Sequence, residues 1–267
     1  MSFAHNGDVR IHWREDNAGA PVLLLGPIGF DLSLWDPIIP LLSRFRVLRM
    51  DTRGHGESDT PQGDYTLDQL SSDITSVLDS AGVDKVAICG LSLGGMMAMT
   101  FALEKPQRVS SLILVCTSAQ MDREFWNLRI ESVRDAGLEA VVDAAMERLF
   151  SQEFRHEHLR EVHTFRSLLL RMSPQGYASC GAAIRDMALL EQISRIVAPT
   201  LLVVGEKDLS TPFEGHGEEI QKRIAKVKMR SIPAAHLAPI EMPSAFAEIV
   251  TAFISEASPH GGTPHEQ

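Results

Sequence analysis

The stretch Val86-Ala87-Ile88-Cys89-Gly90-Leu91-Ser92-Leu93-Gly94-Gly95-Met96-Met97 constrains this chain more than any other. It reads as strand, abrupt turn, helix. Residues suited to a buried strand run into Gly90-Leu91-Ser92-Leu93-Gly94, the G-x-S-x-G pattern of a nucleophile elbow. Such a turn holds its serine in a strained backbone conformation, and a Cβ at either flanking glycine would strike the strand or the helix. The hydroxyl is thereby lifted above the sheet edge. The amides that open the following helix face the same point and favour a developing negative charge there.

The neighbouring segments have the periodicity such a turn requires. Val22-Leu23-Leu24-Leu25 is continuously apolar, as fits a strand buried on both faces of a mostly parallel sheet, and strands are also expected at Phe45–Met50, Val109–Val115 and Thr200–Val204. Val9–Trp13 alternates apolar and polar residues, which predicts an early antiparallel edge strand. Thr66–Ala81 carries Leu67, Leu70, Ile74, Val77 and Leu78 at spacings of three and four, an amphipathic helix stopped by Gly82. Strand and helix alternate, which predicts an α/β fold with a doubly wound, mostly parallel sheet. From Ser118 to about Ser194 no strong strand candidate occurs. Helices are expected at Asp122–Ala136, Leu138–Leu149, His156–Met172 and Pro174–Leu189, and then a helix over about Gly215–Arg223, a strand near Val227–Ile232 and a helix over Pro243–Ser255. The division that follows is a core domain of 1–117 and 195–257, an inserted helical cap at 118–194, and a polar, disordered tail at 258–267. A length of 267 residues suits one such domain with an insertion.

Charge and cysteine usage narrow the partners. The formal net charge is -10 with no basic stretch, which argues against a nucleic-acid partner. Cys89, Cys116 and Cys180 are odd in number and lack metal-ligand spacing, so a reducing cytoplasm is expected. The first residues lack a signal peptide's basic region and apolar run, and no apolar run of about 18 residues predicts a membrane span. A homo-oligomer is compatible with the sequence but not specified by it.

A serine hydroxyl is a poor nucleophile at neutral pH unless an imidazole accepts its proton, and the imidazole is best held by a buried carboxylate. Asp208 follows the strand at Thr200–Val204 and His236 follows the next strand, giving the order serine, acid, histidine of an α/β-hydrolase fold. Asp122 is the alternative acid, although its position reads as the first turn of a cap helix. Oxyanion donors are expected at the backbone N–H of Leu93 and, from the loop after the Val22 strand, of Ile28. Pro27 has no N–H but stiffens that loop. Arg53 and His55 read as braces beneath the site. His156, His158 and His163 read as a solvated helix face rather than a metal site. The chemistry calls for no cofactor and no metal.

Several segments together resemble the 3-oxoadipate enol-lactonases, α/β-hydrolases of the β-ketoadipate pathway for aromatic degradation. They are Trp35-Asp36-Pro37, Arg49 to Ser58, Cys89 to Met96, Gly176-Tyr177-Ala178 with Ala183-Ile184-Arg185-Asp186, and Ala235-His236-Leu237, covering the chain from about Val9 to Phe253. The elbow and the Arg-Gly-His-Gly segment occur in many α/β-hydrolases, whereas Tyr177 to Asp186 is closer to the lactonases. Gly26-Pro27 departs from the histidine-glycine or asparagine-serine of relatives. The resemblance implies a cofactor-independent hydrolase whose small-molecule substrate is a cyclic enol ester bearing a carboxylate. A carboxylate needs a cation, and the cap is where arginines concentrate. Trp126 and Arg129 share a helix face and are the expected substrate wall, with Arg134, Arg166 and Arg185 as competitors. The same triad also serves a general esterase, thioesterase, C–C hydrolase or cofactor-free haloperoxidase, and a ligand receptor of the same fold is a further alternative.

Overall fold

The computed structural model describes residues 2–257, so the tail expected to be disordered lies outside the described residues. Strands β1 (Ser2–Asn6) and β2 (Val9–Asp16) pair antiparallel, with Asn6 opposite Val9. Only Gly7 and Asp8 intervene, and Gly7 has φ 61°, as a two-residue hairpin turn demands. That hairpin is absent from the sequence expectations, because Ser2–Asn6, with Phe3 and Ala4 adjacent, gives no apolar alternation to read, and it makes β1 the edge in place of the expected Val9–Trp13. The apolar segments follow as β3 (Ala20–Leu25), β4 (Phe45–Met50), β5 (Val86–Leu91), β6 (Val109–Val115) and β7 (Thr200–Gly205), with β8 (Val227–Ile232) at the edge. The sheet order is β1-β2-β4-β3-β5-β6-β7-β8, antiparallel as far as β2/β4 and parallel thereafter. Every residue of β5 and of β7 is buried, which accounts for their lack of alternation.

Successive side chains on a strand point to opposite faces, so the sheet separates two cores. Val22 and Leu24 pack with Trp35, Ile38 and Phe246, whereas Leu23 and Leu25 pack with Leu70, Ile74, Met97 and Phe101. Each fully buried aliphatic side chain contributes about 1.5–3 kcal/mol. Helix α1 (Leu67–Ser80) begins with a reciprocal capping box between Thr66 and Gln69. Helix α2 (Leu93–Glu104) is buried from Leu93 through Ala102, apolar on all sides, and therefore enclosed. Its N-terminus, which carries the elbow, is held by packing on every side.

Between β6 and β7 the chain is helical: α3 (Arg123–Ala136), α4 (Val142–Leu149), α5 (Gln152–Glu157), α6 (Leu159–Arg171) and α7 (Pro174–Arg185). Three of the expected helices are divided or shortened, the one expected from Leu138 opening as a 3-10 turn, Leu138–Ala140, before α4 begins at Val142. The helix expected from His156 is two helices broken at His158 (φ -120°, ψ 48°), because Ser151 caps a separate α5 by accepting the Phe154 N–H. The helix expected to reach Leu189 ends at Arg185, whose guanidinium turns onto the side chain of the next residue, Asp186. After β7, regular helix begins only at α8 (Glu218–Arg223), since Gly215 with φ 78° interrupts the preceding turn. The short α9 (Ala238–Glu241) and the long α10 (Pro243–Ala257) complete the chain. Among the described residues no helix is long and apolar enough to cross a membrane.

Candidate active site

Ser92 sits at the turn from β5 into α2 with φ 55° and ψ -116°, a conformation that side-chain-bearing residues rarely adopt. The turn is closed by its neighbours. A Cβ on Gly90 would lie 2.2 Å from the Gly94 carbonyl oxygen, and one on Gly94 would lie 2.2 Å from that of Leu25. The Ser92 N–H donates to the Val115 carbonyl at 3.0 Å, while the Thr117 hydroxyl donates to the Ser92 carbonyl at 2.7 Å. Strain at Ser92 is thus held in place by backbone contacts on both sides.

Asp208 and His236 stand at the ends of β7 and β8 and meet there. The Asp208 carboxylate faces His236 Nδ1 at 2.9 and 3.0 Å. It also accepts from the Ser210 N–H at 2.7 Å, the Thr211 N–H at 3.1 Å and the Thr211 hydroxyl at 2.8 Å. Burial pushes the Asp208 carboxyl up, yet the opposing His236 charge and these hydrogen bonds outweigh it and hold the group at about 2. Asp208 is therefore an anion that fixes the His236 ring with Nδ1 inward. Among the described residues His236 hydrogen-bonds through Nδ1 alone and Nε2 meets no partner, and the residue lines a cavity together with Ser92. Asp122, the alternative acid, caps α3 by accepting the Phe125 N–H at 2.8 Å, the helix-start role its position predicts.

The loop Gly26-Pro27-Ile28-Gly29 follows β3 above the elbow. The Gly29 N–H donates to His55 Nε2 at 2.9 Å, and His55 Nδ1 donates to the Arg53 carbonyl at 3.2 Å. Burial lowers the His55 pKa to about 4, so the ring is neutral and accepts through Nε2. Arg53 in turn forms a two-point ion pair with buried Asp73 at 2.6 Å. Arg53 and His55 thus brace the loop, as their positions predict. Among the described residues no acceptor meets the N–H of Ile28 or of Leu93. These two amides are the expected donors for a negative oxygen on a group bonded to Ser92.

The cavity has a volume of about 270 Å³, just under the roughly 300–1,000 Å³ of drug-sized ligand sites, which suits a small compound. Its wall brings the sequence-predicted Trp126 and Arg129 into the same space as Ser92 and His236. Arg129 lies over the rings of Trp126 and Tyr177, and its Nε donates to the Tyr177 hydroxyl at 2.7 Å. The three competing arginines are all occupied: Arg134 by Asp64, Arg166 by Asp143 and Arg185 by Asp64 and Asp186. A second cavity arginine, Arg148, is missing from the sequence expectations. It stacks on Phe125 and, like Arg129, has no carboxylate partner among the described residues. Burial, and next the positive charge of Arg129, push the Arg148 pKa down. His216 is a further unexpected wall residue, its Nδ1 2.8 Å from the Ser118 hydroxyl. Nothing in the spacing of the sequence relates α4 to α3, so Arg148 carries no local signal. The indole N–H of Trp126 is buried and meets no acceptor among the described residues. Two cations lining the same cavity as a serine and a histidine are suited to acyl transfer on an anionic compound.

Comparison with known proteins agrees with this fold. Residues 20–243 fit the family model described as alpha/beta hydrolase fold. The chain is 31% identical over 238 residues to 3-oxoadipate enol-lactonase 2 of Acinetobacter baylyi, covering 88% of this chain and 89% of that one. The crystal structure of the enol-lactonase from Burkholderia xenovorans LB400 superposes with a TM-score of 0.92 at 31% identity, covering 95% of this chain and 100% of that chain. A thermophilic esterase from Thermogutta terrifontis, solved with malate bound, has a TM-score of 0.88 at 26% identity and covers 93% of this chain and 94% of its own.

Proposed function

The chain belongs to the alpha/beta hydrolase fold family, and from that premise we propose that it is a serine hydrolase that opens a small anionic lactone, 3-oxoadipate enol-lactone above all. In this reading Ser92 Oγ attacks the lactone carbonyl while His236 Nε2 takes its proton. Asp208 keeps the ring in the required tautomer and stabilises the imidazolium. The oxyanion is received by the N–H groups of Leu93 and Ile28. Ring opening leaves an enol tethered to the acyl-enzyme, and His236 returns its proton to that oxygen. Tautomerisation to the ketone removes the group that would reclose the ring. His236 then activates water, which releases the product and restores Ser92.

The observation that carries the substrate class is the pair of guanidiniums on the cavity wall, Arg129 and Arg148, that meet no carboxylate among the described residues. In a chain of net charge -10, cations are left without carboxylate partners where an anionic ligand takes that place. The enol-lactonase names of the relatives supply the particular lactone, and the malate in the Thermogutta esterase is itself a dicarboxylate. Replacing Arg129 by glutamine removes a charge-assisted contact, each of which contributes about 1.5–3 kcal/mol. The expected result is a fall of about 10- to 100-fold in kcat/KM for the anionic lactone, with a much smaller fall for neutral p-nitrophenyl acetate. Equal losses on both substrates would assign Arg129 to the fold rather than to the substrate.

A further inference from the structure

The two residues that flank His236 are both tied to the cap. The Leu237 N–H donates to the Leu149 carbonyl, at the end of α4, at 3.0 Å. On the other side the Glu241 carboxylate accepts from the Ala235 N–H at 3.3 Å. That same carboxylate accepts from the Ser151 N–H at 2.8 Å and from the Ser151 hydroxyl at 2.7 Å. An exposed ion pair of 3.1 Å between Glu153 in α5 and Lys207, beside Asp208, adds a weaker third tie. The cap segment that makes the first two ties starts at Arg148, whose side chain lines the cavity. One short span therefore carries a cation with no carboxylate partner among the described residues, a direct hydrogen bond to Leu237 and, through Glu241, a link to Ala235.

We propose that an anion seated against Arg148 acts on the chemical step, by setting His236 for Ser92 through Leu149, Ser151 and Glu241, and that Glu241 is a positioning residue of this hydrolase. The proposal rests on the reading of Ser92, His236 and Asp208 as the catalytic set. In this conformation the His236 hydrogen bonds run through Nδ1 alone, so the contact from Nε2 to Ser92 Oγ is still to be made. Proton transfer needs that contact at about 2.6–3.2 Å, and a close-packed cap passes a small shift at Arg148 to the Leu149 carbonyl rather than absorbing it. Binding energy from the remote carboxylate then appears in kcat instead of KM.

The test divides the substrate into two pieces. Hydrolysis of ethyl acetate, a small neutral ester, is followed by proton release with propionate added and with chloride at equal ionic strength. Propionate should raise kcat by at least about fivefold, the lower end of coupling between sites. The rise should disappear in Arg148→Gln and in Glu241→Ala. It should persist in Glu241→Gln, because the amide oxygen still accepts from the Ser151 and Ala235 N–H groups and its NH2 donates to the Ser151 hydroxyl. Ser151→Ala, which removes one arm of the tie, should show a smaller rise and serves should Glu241→Ala not fold. Purely competitive inhibition by propionate overturns the proposal, as does full activation in Glu241→Ala or Ser151→Ala. Ethyl acetate hydrolysis that survives in Ser92→Ala instead overturns the catalytic set itself, so the two failures are distinguishable.

Discussion

Ser92→Ala should lower kcat on p-nitrophenyl acetate by about 10⁵- to 10⁶-fold, with binding and folding retained. In the proposed mechanism the hydroxyl oxygen forms the bond to substrate, and what remains without it is the stabilisation offered by the Leu93 and Ile28 amides. Alanine keeps a Cβ at φ 55°, so the strain of the elbow stays and the melting temperature should change little. Ser92→Gly should be as inactive but more stable, because glycine adopts positive φ without the Cβ penalty. A residual rate within tenfold of the parent would place the nucleophile elsewhere.

Asp208→Asn should lower kcat by about 10⁴-fold, since an amide turns the wrong hydrogen-bonding group toward His236 Nδ1 and no longer supports the imidazolium. It should also change acid stability in a defined direction. The Asp208 carboxyl is held at about 2 in the folded protein, below its value of about 3.9 in an unfolded chain. The ionised form therefore stabilises the fold above the unfolded value, and that contribution is lost as pH falls through the folded one. Denaturant unfolding of the parent and of Asp208→Asn should give curves that converge between about pH 5 and pH 2. A constant difference across that range would mean that the hydrogen bonds seen at Asp208 do not favour its charged form.

The elbow was legible because its demands are local. Two glycines flank Ser92 and a Cβ on either meets backbone at 2.2 Å, so sequence and geometry say the same thing. Asp208 and His236 were legible for a related reason: each ends a strand, and the parallel order of the sheet carries strand ends to one edge. The cap was less so. Spacing puts Arg129 on one face with Trp126 but leaves Arg134, Arg166 and Arg185 in competition and Arg148 unmarked, and only packing decides that Arg134 and Arg185 share Asp64 while Arg129 and Arg148 are left facing the cavity. His216 is hidden by a similar cause, since it reaches the cavity through the turn around Gly215 rather than along a regular helix. The Ser2–Asn6 strand is stabilised by pairing with β2, not by its own pattern.

The most direct measurement is steady-state hydrolysis of 3-oxoadipate enol-lactone beside its neutral analogue, in which hydrogen replaces the carboxylate on the same ring. A serine hydrolase with Arg129 and Arg148 reading an anion should show kcat/KM at least about 100-fold higher for the anionic lactone, with both reactions abolished in Ser92→Ala. Equal kcat/KM for the two lactones would contradict it.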